Sequence, residues 1–203
     1  MILLSSAQTA YVISLVLASL VLIALVILLI FENHYRKKHI RELTYLKLRH
    51  QCEINDFLLL NNYHINIDDS NIGLIDHVVI SNKYIIIIND FAISGVLKGD
   101  FTSDNLLNYS KEGASIISNP LNYNINLTKR LSLFNDLSQD FLKGLVVVNN
   151  DTEILVDNMS SQFKIVKLKD LPKTIKSFDK ENVKNLSEDG VVKFINYLNE
   201  RNK

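Results

Sequence analysis

The chain has a single cysteine, two prolines and six glycines among 203 residues, and its 22 basic and 22 acidic side chains cancel. One cysteine, Cys52, forms no internal disulfide, which excludes a disulfide-stapled scaffold and fits a reducing compartment. So few Gly and Pro exclude a collagen-like chain, and 47% apolar residues exclude a highly charged disordered one. There is no internal repeat and no long Pro/Gly/Ser linker. A Gly-rich phosphate loop, a Ser-His-Asp order and Cys/His pairs at zinc spacing are missing too, which removes several enzyme classes. His34, His39 and His50 lie near one another in sequence without Cys or carboxylates at ligand spacing, and so do not make a metal site.

Charge is absent altogether from residues 1–31, and between residues 11 and 31 only Ser14 and Ser19 are polar. About 20 such residues span roughly 30 Å of hydrocarbon as a helix, so a transmembrane anchor over residues 1–31, with a short outer tail, is expected. A cleaved signal peptide is the competing reading, but it needs a positive amino-terminal region, and residues 1–10 carry no Lys or Arg. Residues 32–50 then hold Arg36, Lys37, Lys38, Arg41, Lys47 and Arg49 against Glu32 and Glu42. Lys and Arg beside a span fix its orientation, so this basic juxtamembrane helix is expected on the cytoplasmic side of a cell membrane, touching anionic lipid headgroups. The rest of the chain is mildly acidic, at a net −4, which does not favour nucleic acid as a partner.

After the anchor there is room for one ordinary domain. Ile40, Leu43, Leu46, Ile54, Phe57 and Leu58 recur at helical spacing, predicting a helix that stops near Asn61. Strands are expected over residues 63–67, 73–80 and 84–89, with turns at residues 68–71 and 81–83. The unbroken Ile85 to Ile88 run places its strand at the centre of a sheet covered on both faces. Gly95 and Gly99 predict a turn, and residues 104–118 an indistinct, partly helical stretch. A helix opening at Asn119-Pro120-Leu121 carries Leu127, Leu131 and Leu137. Short strands follow over residues 145–148, 153–156 and 163–166. A helix at Pro172 and a last one over about residues 181–200, with Val192, Ile195 and Leu198 on one face, complete the order. This is an α/β fold, with α+β the alternative, built on a mixed sheet flanked by helices.

Leu74-Ile75-Asp76-His77-Val78-Val79-Ile80-Ser81, then Tyr84 and the Ile run, then Ser94-Gly95, resemble the heart of the nuclease-related domain (NERD) family. Asn119-Pro120-Leu121 is similar to that family's Asn-Pro helix start, and residues 144–150 to its later strand. The resemblance covers roughly residues 51–178, leaving residues 179–203 as a carboxy-terminal helix. It implies a restriction-endonuclease-like core of the PD-(D/E)XK kind, in which an Asp and a Glu hold divalent cations and a Lys steadies developing charge.

By that resemblance Asp76 matches the first carboxylate, while Asn89 falls at the Glu position and Phe91 at the Lys position. Neither replacement supplies what it replaces: Asn has a neutral carbonyl oxygen and Phe no polar atom. Asp90 is one residue out of phase and should face away from Asp76, and Lys98 lies beyond the expected turn. Cys52-Glu53 falls where the family carries Gly-Glu, making Glu53 a candidate extra carboxylate or else an ordinary exposed helix residue, with Cys52 buried beside it. His77 should face away from Asp76 and pack or hydrogen-bond. Asp76 itself can persist without catalysis by accepting backbone N–H bonds. Two readings follow. One is a membrane-anchored, catalytically inactive domain that binds a partner not identifiable from sequence, a protein or, less favoured by charge, a nucleic acid, or acts as a scaffold, with no cofactor. The alternative is an active nuclease cleaving DNA or RNA with Mg²⁺ or Mn²⁺ at a rearranged site of Asp76, Glu53 and Asp90.

Overall fold

The computed structural model describes residues 6–68, 71–135 and 137–202, with side-chain surroundings for residues 11–28, 39–65, 73–133 and 137–202. Two units are present, Met1–Lys38 and His39–Lys203. The first is a helix, α1 (Ser6–Lys38). Its Leu/Ile/Val/Ala run leaves few polar groups to hide, and the Ser14 and Ser19 hydroxyls donate back to the carbonyls of Tyr11 and Val16 at 2.8 Å. The window Tyr11–Leu28, with a mean hydropathy of 3.0, is long and apolar enough to cross a membrane. Side chains of Arg36, Lys37 and Lys38, in the expected basic cluster, lie outside the described surroundings.

The second unit opens with α2 (Ile40–Asn55). Its buried stripe is Ile40, Thr44, Leu48 and Cys52, at four-residue spacing, while Leu46 and Ile54 face solvent. The helix ends earlier than its apolar pattern suggests. Asp56 takes a left-handed conformation with φ 56° and caps Cys52, and the apolar run beyond it is extended. That run is the start of β1 (Leu58–Asp68), followed by β2 (Asn71–Ile80) and β3 (Ile85–Phe91). Of the turn expected between β1 and β2, Asp69 and Ser70 lie outside the described residues.

Beyond β3 the glycines do not make a turn. Gly95 and Gly99 lie in a strand, β4 (Gly95–Asp100). Gly95 has φ 105°, and a Cβ there would sit 2.3 Å from the Tyr109 carbonyl oxygen, so the glycine lets two strands pair closely. The stretch expected to be partly helical is a hairpin, β5 (Asn105–Ser110) and β6 (Gly113–Ser118), with Leu106 and Asn108 alternating inward. Then come α3 (Pro120–Asn135), a 3₁₀ turn at Gln139–Phe141, β7 (Leu142–Val148), β8 (Thr152–Asp157) and β9 (Phe163–Lys167). Two helices follow, α4 (Leu171–Asp179) and α5 (Glu188–Arg201). The last helix starts later than expected, capped by Ser187, and buries Phe194 and Leu198 while Val192 is exposed.

One sheet has the order β1-β2-β3-β7-β9 and a second the order β6-β5-β4-β8. β3 pairs parallel to β7, and β4 parallel to β8, so the same two chain segments carry both sheets. Ile65, Val79 and Ile87 lie on the neighbouring strands β1, β2 and β3, as expected. One face of the larger sheet packs Val79, Ile86, Ile88 and Leu145 against Leu48 of α2 and Ile175 and Phe178 of α4. The other packs Val78, Ile85 and Ile87 against Leu127 and Leu131 of α3 and Phe194 and Leu198 of α5. The sheet is therefore covered on both faces, which is why its central strands are apolar without alternation.

Candidate functional site

The site lies where β2 and β3 part. Their ladder runs from Ile80 and Ile85 to His77 and Ile88 and stops, while β2 continues along β1 and β3 along β7. Alternation then sorts the side chains: Asp76 shares a strand face with Val78, and Asn89 with Ile87, on the side covered by α3. His77 and Asp90 share the opposite face with Ile88, on the side covered by α2.

Asp76 closes the gap between the strands. Its Oδ2 accepts the Asp90 backbone N–H at 2.8 Å, in place of a ladder bond. Its Oδ1 is met by the guanidinium of Arg41 from α2, as an ion pair but off the direction of an aligned hydrogen bond. The Asp76 side chain is only 3% exposed. Burial pushes its carboxyl above the ordinary value, against the Asp90 N–H and the Arg41 charge, which pull it down.

Asn89 is held on both sides of its amide. Nδ2 donates to the Leu74 carbonyl at 2.9 Å, and Oδ1 accepts from Asn124 of α3 at 3.0 Å. Asn124 is fully buried and its Nδ2 also lies within reach of the Ile87 and Leu145 carbonyls. Tyr123 braces the same strand: its hydroxyl accepts the Leu74 N–H and donates to the Leu74 carbonyl. Arg41, Asp76, Asn89, Phe91, Asn119, Pro120 and Tyr123 border one cleft of about 330 Å³. The three positions singled out in the sequence therefore come together.

Asp90 borders the same cleft, but its carboxylate is engaged on the α2 side, accepting from Thr44 Oγ1 at 2.6 Å and contacting His77 Nε2 at 2.9 Å. Nδ1 of His77 lies 2.6 Å from Asn61 Oδ1, so this buried imidazole has both nitrogens bonded away from the cleft. Glu53 is exposed, pairs with Arg49 one turn back, and borders a different pocket with Tyr45 and Asn61. Lys98 is exposed on β4.

Asp76 is thus the one family-matching carboxylate facing the cleft, and both its oxygens are engaged. A hard dication such as Mg²⁺ or Mn²⁺ needs several anionic or free oxygen donors, and this donor set is poor for one. Among the described residues no three His, Cys, Asp or Glu side chains gather as a metal site.

The nuclease-related domain family matches residues 37–149, more than half of the chain. The chain belongs to the NERD family. No curated protein and no solved structure gave a significant match. The NERD match takes in α2 from its first residue, and α2 supplies the two contacts that sequence reasoning missed, Arg41 and Thr44. Nothing marked Arg41 among the basic residues around it. Asn124 did carry a signal, because an Asn at helical spacing from Leu127 and Leu131 is a polar residue on an apolar face, and such a residue needs partners.

Proposed function

We propose that this NERD protein is anchored by α1 in the cell membrane as a single span, with its domain in the cytoplasm, and that the domain binds or scaffolds rather than cuts. The observation that carries this is the pair of replacements in the cleft: Asn89 and Phe91 stand at the Glu and Lys positions that the family resemblance gives. Asn89 is neutral and its amide is already bonded, and Phe91 has no group to offer to water or phosphate. Loss of one electrostatic catalytic group costs on the order of 10²-fold, and here both losses fall on one transition state. The occupant is a protein partner, with nucleic acid disfavoured by the net −4 of residues 51–203.

The test is cleavage of single- and double-stranded DNA and of RNA by the whole chain in Mg²⁺ or Mn²⁺, beside Asp76→Ala. No cleavage above background is expected from either. Metal-dependent cleavage by the wild type that vanishes in Asp76→Ala would replace this reading with an active, rearranged nuclease.

A further inference from the structure

A buried carboxylate needs a counter-charge, because desolvation without one is costly. In a metal nuclease the cation supplies it. Here Asp76 already has one from its own chain, the Arg41 guanidinium against Oδ1, while the Asp90 N–H occupies Oδ2. We propose that Arg41 stands where a divalent cation would sit, so that this fold carries a built-in charge in place of a metal.

Three features support the assignment. Guanidinium stays charged throughout the physiological range, so its charge is a permanent occupant rather than a condition-dependent one. It is delivered by a fixed element. Thr44, one turn beyond Arg41 on α2, bonds the Asp90 carboxylate at 2.6 Å, so the helix is registered on two acidic residues of adjacent strands at once. And the contact is one-sided: the Arg41 side chain is 50% exposed where Asp76 is 3% exposed, so the cation reaches in from the cleft mouth.

The inference rests on the reading of an inactive site and adds a consequence to it. Restoring the missing carboxylate alone does not restore the metal, because Arg41 still holds the place. The experiment is Mn²⁺ binding, read by electron paramagnetic resonance on the whole chain in detergent micelles. It compares Asn89→Glu with Arg41→Ala/Asn89→Glu and Arg41→Gln/Asn89→Glu, each first checked for native circular dichroism. Arg41→Gln keeps the side-chain stem should Arg41→Ala fail to fold. Removing a unit charge a few ångströms from the cation should tighten Mn²⁺ binding by on the order of tenfold or more over Asn89→Glu alone. Equal Mn²⁺ retention in Asn89→Glu and in the folded double variant, whether tight or absent, overturns the assignment. Metal-dependent cleavage by the wild type would instead sink the inactive reading, so the two failures are told apart.

Discussion

At the scale of single residues, the polar groups at the parting of β2 and β3 are each spoken for. Asp76 takes a backbone N–H and a guanidinium, Asn89 a carbonyl and an amide, and Asp90 a hydroxyl and an imidazole. Such a network holds the fold in register, although Asp76 Oδ1 has only its ion pair and the buried Asn124 Oδ1 accepts no hydrogen bond. Cys52, elsewhere on α2, is held unreactive. Burial, with Glu53 beside it, pushes its thiol up to about 11. The thiolate is the reactive form, so at pH 8 the native protein should resist alkylation by iodoacetamide, whereas urea-unfolded chains should label fully. Rapid native labelling, followed by mass spectrometry, would contradict the packing described for Cys52.

At the scale of elements, the cleft depends on how closely α3 approaches β7. Gly144 permits that approach: a Cβ there would lie 1.9 Å from Asn124 Oδ1 and 2.5 Å from Phe163 Cδ1. Gly144→Ala should therefore overpack this seam and destabilise the domain by about 1–3 kcal/mol, read as a lower urea midpoint. An unchanged midpoint would mean that Asn124 is not wedged there. Which elements exist was largely legible. The Ile85 to Ile88 run marked a covered central strand, and Asn119-Pro120 marked a helix start, because burial on both faces and proline's missing N–H leave local signatures. What was not legible depended on partners distant in sequence. Gly95 reads locally as a turn, and it is its pairing with Thr152 of β8, 57 positions away, beside its close approach to Tyr109, that makes it a strand residue. The hairpin at residues 105–118 has weak alternation because β6 is almost wholly exposed and needs no apolar pattern. In the site, the alternation of β2 and β3 put Asp76 and Asp90 on opposite faces from sequence alone, but Arg41 sits 35 positions from Asp76 and arrives only through tertiary packing.

At the scale of the whole molecule, an apolar helix precedes a domain of the nuclease-related family in which Asp76 shares its cleft with Asn89 and Phe91. The basic residues between residues 36 and 49 favour the cytoplasmic side, so protease added to intact cells should leave residues 51–203 untouched. Their digestion from outside would reverse the orientation. The central claim is that the wild-type chain holds no divalent cation at Asp76, and its stability tests that most directly. A cation bound a hundredfold above its dissociation constant would add about 2.7 kcal/mol, or roughly 5–10 °C in melting temperature for a domain of this size. The measurement is the melting temperature of the whole chain in 10 mM Mn²⁺ against chelator, beside Asp76→Ala. The account predicts the same small shift in both chains; a rise of several degrees in the wild type that disappears in Asp76→Ala would contradict it.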